Sequence, residues 1–354
     1  MVDNCNAGKR LGGGGTHRTV SFERLVSLEH LFVAWYEFRR GKEKKADVQH
    51  FALNLEDNVF ALHERLSSGS YQHGGYQAFF VCDPKLRHIH KASVADRVLH
   101  HAVNKMLVPV FEPGFIFDLY SNRKQKGTHK AFARMQKLAW KLSRNDTRSV
   151  WALKCDVRKF FDNMDHAILL DLIRKKIDDQ RLVNLIAGIV KSYQTLPGKG
   201  LPLGNLTSQL FSNIYLDPLD QWIERVIGQR QYIRYVDDFV LLGLARDVLK
   251  RTVPRIRLFL SERLKLELHP QKVVLRAWHQ GVDFLGYVGF PHHSILRNKT
   301  ARRMFGKILE AKSSVRDGLL SLEKFDQMLA SYRGLLGHCR SKNLNSKLDA
   351  LLWP

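Results

Sequence analysis

The sequence predicts an α+β protein in which short buried strands, some ending in carboxylates, lie among longer amphipathic helices. Apolar residues at three- and four-residue steps indicate the helices, beginning at Ser21. Short apolar runs bounded by turn residues indicate the strands, most clearly at 150–157 and 231–243. A chain of 354 residues exceeds one typical core, so two or three subdomains are expected.

Before residue 110 the sequence predicts a tail, three helices and a pair of strands. Residues 1–20 include Gly12-Gly-Gly-Gly15 and little apolar content, which indicates a mobile tail. A charged loop at Arg39–Lys45 separates the first two helices. The predicted elements are helices through Phe22–Trp35 and Phe51–Leu66, strands at 79–82 and 87–91 joined near Asp83-Pro84, and a helix from Ser93 to Leu107.

The second half is predicted to be mostly helical outside its strands. Pro218 is expected to kink or interrupt one helix, and Pro254 is tolerable in another if it falls in the first turn. The predicted helices are Leu182–Tyr193, Thr207–Arg225 and Leu249–Leu264, followed past Leu296 by basic helical stretches through Leu309, Leu319–Leu329 and Leu344–Leu352.

Two adjacent carboxylates stand inside an apolar run, in Tyr235-Val-Asp-Asp238. Aspartate is depleted in buried strands, because an unpaired buried carboxylate carries a large desolvation cost. The expected solution is a hairpin of Gln231–Tyr235 and Phe239–Gly243 with Val236–Asp238 at its tip, where each carboxylate could face a divalent cation. An Asp-Asp turn alone is usually only a turn, so this interpretation depends on a further carboxylate.

Asp156 supplies that carboxylate at the end of the predicted strand 150–157. The distance along the chain to Asp237 leaves room for helices and for a neighbouring strand in the same sheet. Asp156 alone could simply cap the following helix. Together with Asp237 and Asp238 it predicts a two-metal site, because paired Mg²⁺ ions held by carboxylates, water and phosphates stabilise both oxygens of a phosphoryl transfer.

Several segments resemble, in the same order, the motifs of reverse transcriptases. Asp156-Val-Arg-Lys-Phe-Phe-Asp162 is similar to the first palm motif, and Tyr235-Val-Asp-Asp238 to the second metal-binding motif. The other similar segments are Lys85–Lys91 and Asp96-Arg97-Val98 in the fingers, Leu203-Gly-Asn-Leu-Thr-Ser-Gln209, His269–Leu275 with its Lys272, and the primer-grip turn Phe284-Leu-Gly-Tyr287.

The resemblance covers residues 22–340 and implies a right-hand polymerase fold with RNA-directed DNA polymerase activity. It implies fingers at 21–150, a palm of antiparallel sheet and helices at 151–290, and a small helical thumb at 291–354. Two Mg²⁺ ions are implied as cofactors, with Mn²⁺ as a possible substitute. The implied metal ligands are the side chains of Asp156, Asp237 and Asp238 and the backbone carbonyl of Val157.

The resemblance implies further roles, each with a plainer alternative. Phe161 matches the steric gate against a ribose 2′-hydroxyl, and is otherwise a core aromatic residue. Lys272 could protonate the pyrophosphate leaving group, or only solvate the rim of the site. The remaining assignments are nucleotide contacts by Leu203, Gly204 and Gln209, nucleic-acid contacts by Phe284, Leu285, Gly286 and Tyr287, and template or primer contacts by Arg123 and Lys126.

Three cations near the first strands are candidates for binding the incoming triphosphate. Lys85, Arg87 and Lys91 occupy positions of the same parity around a predicted strand, so all three side chains would share one face. Arginine would give a bidentate contact to phosphate, and lysine a point charge. Generic contact with RNA explains these cations about equally well.

One difference from the usual reverse transcriptase motifs indicates a particular group within the family. Most relatives have Gln where this chain has Leu203, and Pro where it has Gln209. This pattern, together with Gly281–Tyr287, is similar to reverse transcriptases of diversity-generating retroelements, which copy a template RNA inaccurately at adenines so that the cDNA rewrites a target gene. Leu203 cannot hydrogen-bond near the nucleotide as Gln could, so geometric checking is expected to loosen. Bacterial antiviral reverse transcriptases share the same motifs.

Charge and composition indicate the partners and the compartment. A formal charge of +23 and a pI near 10.0 favour a polyanion, and distributed Lys and Arg suit the backbone of an A-form RNA–cDNA hybrid. Four scattered cysteines argue against a disulfide framework or zinc site and fit a reducing cytoplasm. No apolar run approaches a membrane span, and no signal-peptide core is evident, so no membrane contact is expected.

The expected partners are therefore template RNA, its cDNA and dNTPs, with a small basic accessory protein and a homo-oligomer as further expectations. Three functions are open at this point: mutagenic copying in a diversity-generating retroelement, synthesis of antiphage cDNA, or a catalytically silent RNA-binding scaffold. The complete set of Asp156, Asp237 and Asp238 argues against the scaffold.

Overall fold

The computed structural model describes residues 20–82 and 86–352. The predicted tail (all but its last residue), the predicted joint at Asp83-Pro84 and the candidate Lys85 lie outside these ranges. Within them the strands are β1 Gln77–Val81, β2 Arg87–Lys91, β3 Trp151–Asp156, β4 Tyr232–Tyr235, β5 Asp238–Gly243, β6 Val274–Ala277, β7 Val282–Phe284, β8 Tyr287–Gly289 and β9 Ser294–Leu296. The helices are α1 Phe22–Val26, α2 Leu28–Arg39, α3 Ala46–Leu53, α4 Leu55–Ser67, α5 Val94–Phe111, α6 Thr128–Leu142, α7 Phe160–Asn163, α8 His166–Arg174, α9 Gln180–Lys191, α10 Leu206–Gln221, α11 Arg246–Leu264, α12 Asn298–Arg316, α13 Leu322–Leu336 and α14 Lys342–Leu352.

Four antiparallel strands form the central sheet, in the order β4-β5-β3-β6. The register of β3 and β5 places Asp156 opposite Asp238 and Leu153 opposite Leu241. Both inner strands are apolar along most of their length, as buried strands are. The predicted strand at 150–157 and the predicted hairpin at 231–243 are therefore confirmed, but the predicted tip Val236–Asp238 is wrong by one residue, because Asp238 pairs with Tyr235 and begins β5.

The central sheet has two different faces, because successive side chains of a strand point to opposite sides. Leu153 and Cys155 belong to a large core that includes residues of α10 and α11. Ala152 belongs to a second core, formed with α6, the strands β7 to β9 and the C-terminal helices. Lys154 and Asp156 point to the same side of β3 as Ala152. The Asp156 carboxylate therefore lies on the side of the sheet that faces the second core.

The N-terminal helices pack around α5, which also contacts α10. The predicted helices are confirmed, but two of them are divided. Ser27 separates α1 from α2, and its hydroxyl accepts from the His30 N–H at 3.3 Å as an N-cap. Asn54 separates α3 from α4. The two strands predicted after them are confirmed as β1 and β2, which pair antiparallel over their whole length.

The two helix prolines behave differently. Pro218 lies inside α10, which continues through it to Gln221 and then changes to a π-helical turn at Trp222–Val226, so the helix is not interrupted at Pro218 itself. The expectation for Pro254 is wrong. Helix α11 begins at Arg246, earlier than predicted, so Pro254 falls in its third turn and leaves the carbonyl one turn earlier without an amide donor.

The C-terminal part consists of the small sheet β7-β8-β9 followed by α12, α13 and α14, which confirms the predicted helices there. Helix α6, which the sequence analysis missed, packs against β4, β5 and β8. It therefore joins the layer of the central sheet, although it falls in the range 21–150 assigned to the fingers. No helix within residues 20–82 and 86–352 is long and apolar enough to span a membrane.

Candidate active site

The strands β4 and β5 are joined by a two-residue turn, Val236-Asp237, because Tyr235 pairs directly with Asp238. We refer to Val236-Asp237 as the aspartate turn. Val236 has a φ of 55°, the left-handed conformation that β-branched residues rarely adopt and that tight hairpins usually give to glycine. Backbone strain of this kind persists only where the surrounding structure holds the backbone in place.

Three hydrogen bonds hold the aspartate turn. The Val236 N–H donates to the Ser121 hydroxyl at 3.0 Å, and the Arg234 guanidinium donates to the Val236 carbonyl at 2.9 Å. The Val157 N–H, which follows β3, donates to the Asp237 carbonyl at 3.2 Å. The turn is thus fixed both to its own hairpin and to the strand that carries the other carboxylate.

Arg234 is itself held by a buried ion pair with Asp220, near the end of α10. Both side chains are fully buried, and Arg234 Nε and Nη2 lie 2.7 and 2.5 Å from the two carboxylate oxygens. The Tyr232 hydroxyl donates to the same carboxylate at 2.7 Å. Sequence reasoning missed this pair, although an arginine inside the apolar strand 232–235 was a signal that it needed a buried partner.

Three carboxylates converge at the end of the two inner strands. Asp156 and Asp238 are direct neighbours across the β3–β5 pair, and Asp237 lies in the adjoining turn. Burial and the charge of Asp156 raise the pKa of Asp237 to about 6. Burial and the charges of Asp156 and Asp237 raise the pKa of Asp238 to about 7, against the opposing effect of Lys154. Ionising these carboxylates costs free energy because of desolvation and mutual repulsion, and a bound cation would offset that cost.

Each carboxylate also has a cationic neighbour. Lys272 Nζ lies 2.6 Å from an Asp156 oxygen, and Lys154 Nζ lies 3.4 Å from an Asp238 oxygen. Arg87 is close enough to Asp237 to lower its pKa. The structure therefore brings the predicted Lys272 and Arg87 to the carboxylates. Lys154 was missed, although it lies two residues before Asp156 and so on the same face of β3.

The donor set fits a divalent cation that takes some of its ligands from a substrate. One oxygen of Asp238 is buried without a hydrogen-bond partner in the described part of the chain. No group of three His, Cys, Asp or Glu side chains within residues 20–82 and 86–352 could hold an ion by itself. Mg²⁺ matches this arrangement, because it combines one or two carboxylates with water and substrate phosphates.

A cleft of about 430 Å³ opens beside Asp156 and Asp238. Among its lining residues are four cations and three carboxylates, namely Lys154, Lys272, Arg276, Arg297, Asp156, Asp238 and Asp283. Arg297 also forms an ion pair with Asp283. A wall of this composition favours a phosphate-bearing substrate, whose charge the cations neutralise while the carboxylates are left to the metal.

The loop that begins at Leu203 is fixed to strand β2. The Leu203 carbonyl accepts from the His90 N–H at 3.0 Å, and the Asn205 amide donates to the His90 carbonyl at 3.4 Å. Gly204 has a φ of 111°, and a Cβ there would lie 2.8 Å from Ile89 Cγ2, so only glycine fits. Gln209 is exposed on α10. The loop therefore lies beside the strand that carries Arg87.

The two described cations of β2 differ in their surroundings. Arg87 is exposed. Lys91 Nζ instead lies 2.7 Å from Asp47, which also forms an ion pair with Arg97. A contact between Lys91 and a triphosphate would have to replace this pair, so the geometry favours Arg87 as the phosphate ligand.

Arg123 and Lys126 are both engaged with protein acceptors. Arg123 lies 2.9 Å from a Glu112 oxygen and donates to the Ile116 carbonyl at 2.9 Å. Lys126 donates to the Phe117 carbonyl at 2.9 Å, and its Nζ lies 3.8 Å from the Phe117 ring centroid. These contacts stabilise the loop between α5 and α6. The predicted contacts of these two cations with template or primer stay predictions.

The predicted primer-grip turn is the tip of the β7–β8 hairpin. Its central residues Leu285 and Gly286 have φ values of 51° and 94°, as in the tight turns that join antiparallel strands. Phe284 and Tyr287 are buried, and the Tyr287 hydroxyl donates to the Leu335 carbonyl at 3.0 Å. These two side chains are core residues, so a contact with nucleic acid is restricted to Leu285 and Gly286.

Phe161 is half-buried at the start of α7. Its ring meets Phe160 edge to face at a centroid distance of 5.3 Å, and its carbonyl accepts from the Leu201 N–H at 2.9 Å. It thus connects the segment after Asp156 with the segment that leads to Leu203. This position is compatible with both the steric-gate role and the role of a packing residue.

The comparison with protein families decides the class. The model of the family described as reverse transcriptase (RNA-dependent DNA polymerase) matches residues 83–288, more than half of the chain. This chain belongs to the reverse transcriptase family. The predicted enzyme class, an RNA-directed DNA polymerase, and the predicted α+β right-hand fold are thereby confirmed.

Relatives of this reverse transcriptase include group II intron proteins. It is 26% identical over 269 residues to protein YkfC of Escherichia coli strain K12, covering 64% of this chain and 69% of that protein. It is 23% identical over 303 residues to the group II intron-encoded protein LtrA of Lactococcus lactis subsp. cremoris, covering 66% of this chain and 49% of LtrA. The reverse transcriptase therefore spans about half the length of LtrA.

Solved structures similar to the reverse transcriptase include apo telomerase from Candida tropicalis. The TM-score is 0.46 with 12% sequence identity, over 61% of this chain and 47% of that chain. The narrower likeness to diversity-generating retroelements stays a prediction of the sequence.

Proposed function

We propose that this reverse transcriptase copies an RNA template into cDNA by two-metal nucleotidyl transfer. The observation that carries the proposal is the convergence of Asp156, Asp237 and Asp238, with Asp156 directly opposite Asp238. These side chains and the Val157 carbonyl would hold Mg²⁺. The bound ions would stabilise the attacking and leaving oxygens of the transfer.

The protein's own cations would act on the triphosphate. Arg87, exposed near Asp237, would make a bidentate contact to phosphate oxygens. Lys272 lies 2.6 Å from an Asp156 oxygen and can therefore reach a leaving group at this site, where its Nζ would donate a proton to the departing pyrophosphate. Leu203, Gly204 and Gln209 would border the nucleotide, and the Leu285-Gly286 turn would border the primer.

We further propose that copying is error-prone, as in a diversity-generating retroelement. The support is the aliphatic side chain of Leu203. The Leu203 backbone is fixed to β2 by a hydrogen bond that does not involve this side chain. A loop with Gln at this position would therefore differ in its side chain, which could form a hydrogen bond near the nucleotide. Synthesis of antiphage cDNA would use the same carboxylates and is the alternative. A non-catalytic scaffold would have no need of three half-buried carboxylates that repel one another.

The substitution Leu203→Gln should lower misincorporation opposite template adenines about fivefold, since one restored hydrogen bond contributes about 1 kcal/mol to discrimination. The measurement is sequencing of cDNA made on a defined RNA template. Leu203→Ile, which restores no hydrogen bond, is the matched control and should leave the error spectrum unchanged. Faithful copying of adenines by the unmodified protein would count against the mutagenic role and favour the antiphage alternative.

The substitution Phe161→Ala should admit ribonucleotides. Removal of the ring would relieve the clash with a ribose 2′-hydroxyl, and discrimination between dGTP and GTP should fall by about tenfold or more. Single-nucleotide extension with each nucleotide measures this ratio. Phe161→Tyr keeps the ring and should keep the discrimination. An unchanged ratio in Phe161→Ala would assign Phe161 to packing alone.

The proposed partners are template RNA, its cDNA and dNTPs. The small basic accessory protein, the homo-oligomer and the cytoplasmic location stay predictions of the sequence.

A further inference from the structure

Helix α11 presents a row of exposed cations on the side of the central sheet opposite the carboxylates. The helix covers the core face that contains Leu153 and Cys155, whereas Asp156 lies on the other face of β3. A duplex seated on the carboxylates therefore cannot reach the outer surface of α11. We call this outer surface the rear surface; it is defined by the exposed residues Arg246, Lys250, Arg251, Arg255 and Arg257.

The rear surface is not an ordinary solvated helix face. Within the described ranges none of its five cations forms an ion pair with a carboxylate, whereas nearby Arg158 pairs with Glu267 at 3.4 Å. Arg246 with Lys250 and Arg251 with Arg255 are like-charged i,i+4 pairs, which destabilise an isolated helix, while Asp247, four residues before Arg251, is the one acidic residue of this stretch. An anion that lay over these cations would reduce the repulsion between them.

Two of the arginines are also held in place. The Arg246 guanidinium lies 5.4 Å from the Trp151 ring centroid, and that of Arg255 lies 5.8 Å from the Trp222 ring centroid. Contact with an aromatic ring limits the freedom of these side chains, so less conformational entropy is lost when they bind a phosphate.

The shape of the rear surface fits a phosphate backbone. Arg246, Lys250 and Arg257 lie on one side of α11, and at 1.5 Å per residue they span about 16 Å. A groove of about 520 Å³ continues from Arg257 toward Arg158, beside the C-terminal half of the helix. An extended series of cations next to a groove matches the repeated charges of a nucleic acid strand, whose binding is driven by counterion release.

We propose that the rear surface is a second RNA-binding site, outside the catalytic cleft. The RNA bound there would be a folded part of the same molecule whose template segment is copied. The identification of that RNA with the template rests on the proposed function. Occupation of the rear surface would tether the template and raise its effective concentration at the carboxylates.

The test uses the full chain loaded with a short hybrid of RNA template and DNA primer, to which a labelled RNA hairpin without a primer is added. The unmodified protein should bind the hairpin with the hybrid in place. The triple variant Lys250→Gln, Arg251→Gln, Arg257→Gln should bind it on the order of tenfold more weakly at physiological salt. The slope of log affinity against log salt should fall by about 2 to 3.

A control triple variant removes the same charge from exposed, unpaired positions elsewhere: Arg40→Gln, Lys44→Gln, Lys175→Gln. It should weaken hairpin binding far less than the rear-surface variant. Both variants should extend the short hybrid at the unmodified rate, because neither changes the catalytic residues, and both should melt at the unmodified temperature.

Equal hairpin binding by the rear-surface variant and the unmodified protein would overturn the proposal, as would equal weakening in the control. Displacement of the hybrid by the hairpin would mean that both use one site, and would also overturn it. Binding of a polyglutamate peptide in place of the hairpin would assign the surface to an acidic protein. Failure of the unmodified protein to extend a primer would contradict the proposed function but not the rear RNA site.

Discussion

The substitution Asp237→Asn should reduce primer extension on an RNA template by about a thousandfold or more. Asn keeps the size of the side chain but removes the charge that would hold the metal, and the metal contributes several kcal/mol to stabilising the transferring phosphoryl group. The fold should not suffer. Burial and Asp156 raise the pKa of Asp237 to about 6, so at pH 8 its ionised form is held less favourably in the folded state than in the unfolded state.

Because the pKa of Asp237 is raised, the substitution is expected to affect stability and activity in different directions, which separates a loss of metal binding from a loss of fold. Because the folded-state pKa is raised, the cost of ionised Asp237 grows as pH rises from about 4 through about 6, and Asn does not bear that cost. The variant should therefore melt at or above the unmodified temperature at pH 8 while losing activity. Extension with dNTPs and Mg²⁺, measured beside a thermal melt, tests both statements.

The matched control is Asp162→Asn. Asp162 is an exposed carboxylate in the first turn of α7, where the helix dipole explains its presence, and the substitution should leave extension unchanged. Equal extension by Asp237→Asn and the unmodified protein would sink the two-metal proposal and favour the RNA-binding scaffold. An inactive unmodified protein would have the same consequence.

The carboxylates could be located from the sequence because strand alternation is a local property. The apolar run before Asp156 and the run around Asp237-Asp238 each fix a strand, and a strand fixes the face on which its side chains lie. The same rule would have placed Lys154 beside Asp156. Helix α6 could also have been predicted, because Phe132, Met135 and Ala139 are spaced at three- and four-residue steps. The structure shows that all three are buried.

Contacts that depend on packing could not be predicted. Positive charge suggested that Arg123 and Lys126 bind nucleic acid, but charge alone does not show the carbonyls and the ring that these side chains contact in the fold. Aromatic residues at a named turn suggested that Phe284 and Tyr287 bind primer, but both turn into the core. The Asp220–Arg234 pair joins the end of a helix to a strand, so only the packing of α10 under β4 reveals it.

That buried pair has a second expected result, which separates stability from positioning. The substitution Asp220→Asn should lower the free energy of unfolding by about 3–5 kcal/mol, because it leaves the fully buried Arg234 without its counter-charge. Loss of activity in such a variant would not be informative by itself. The informative change is Asp220→Leu with Arg234→Met, which removes both charges and keeps apolar volume.

The double variant should recover most of the lost stability, since replacing a buried ion pair by apolar residues is often neutral or stabilising. The Tyr232 hydroxyl would lose its acceptor, at a cost of about 1–3 kcal/mol that Tyr232→Phe would remove. Activity should nevertheless stay about tenfold below that of the unmodified protein. No side chain then donates to the Val236 carbonyl, so the left-handed Val236 is less firmly held.

Denaturant unfolding and kcat, measured on the same preparations, distinguish the two roles of Arg234. Stability restored with activity still low would show that the hydrogen bond to Val236, and not the ion pair as such, positions Asp237 for metal binding. Ser121→Ala is the independent check, because it removes the other side-chain contact to the aspartate turn and leaves the buried charges in place. Its kcat should fall with little change in KM for dNTPs. Full activity in both the double variant and Ser121→Ala would mean that neither side-chain contact is needed as long as the other one and the Val157 N–H hold the turn.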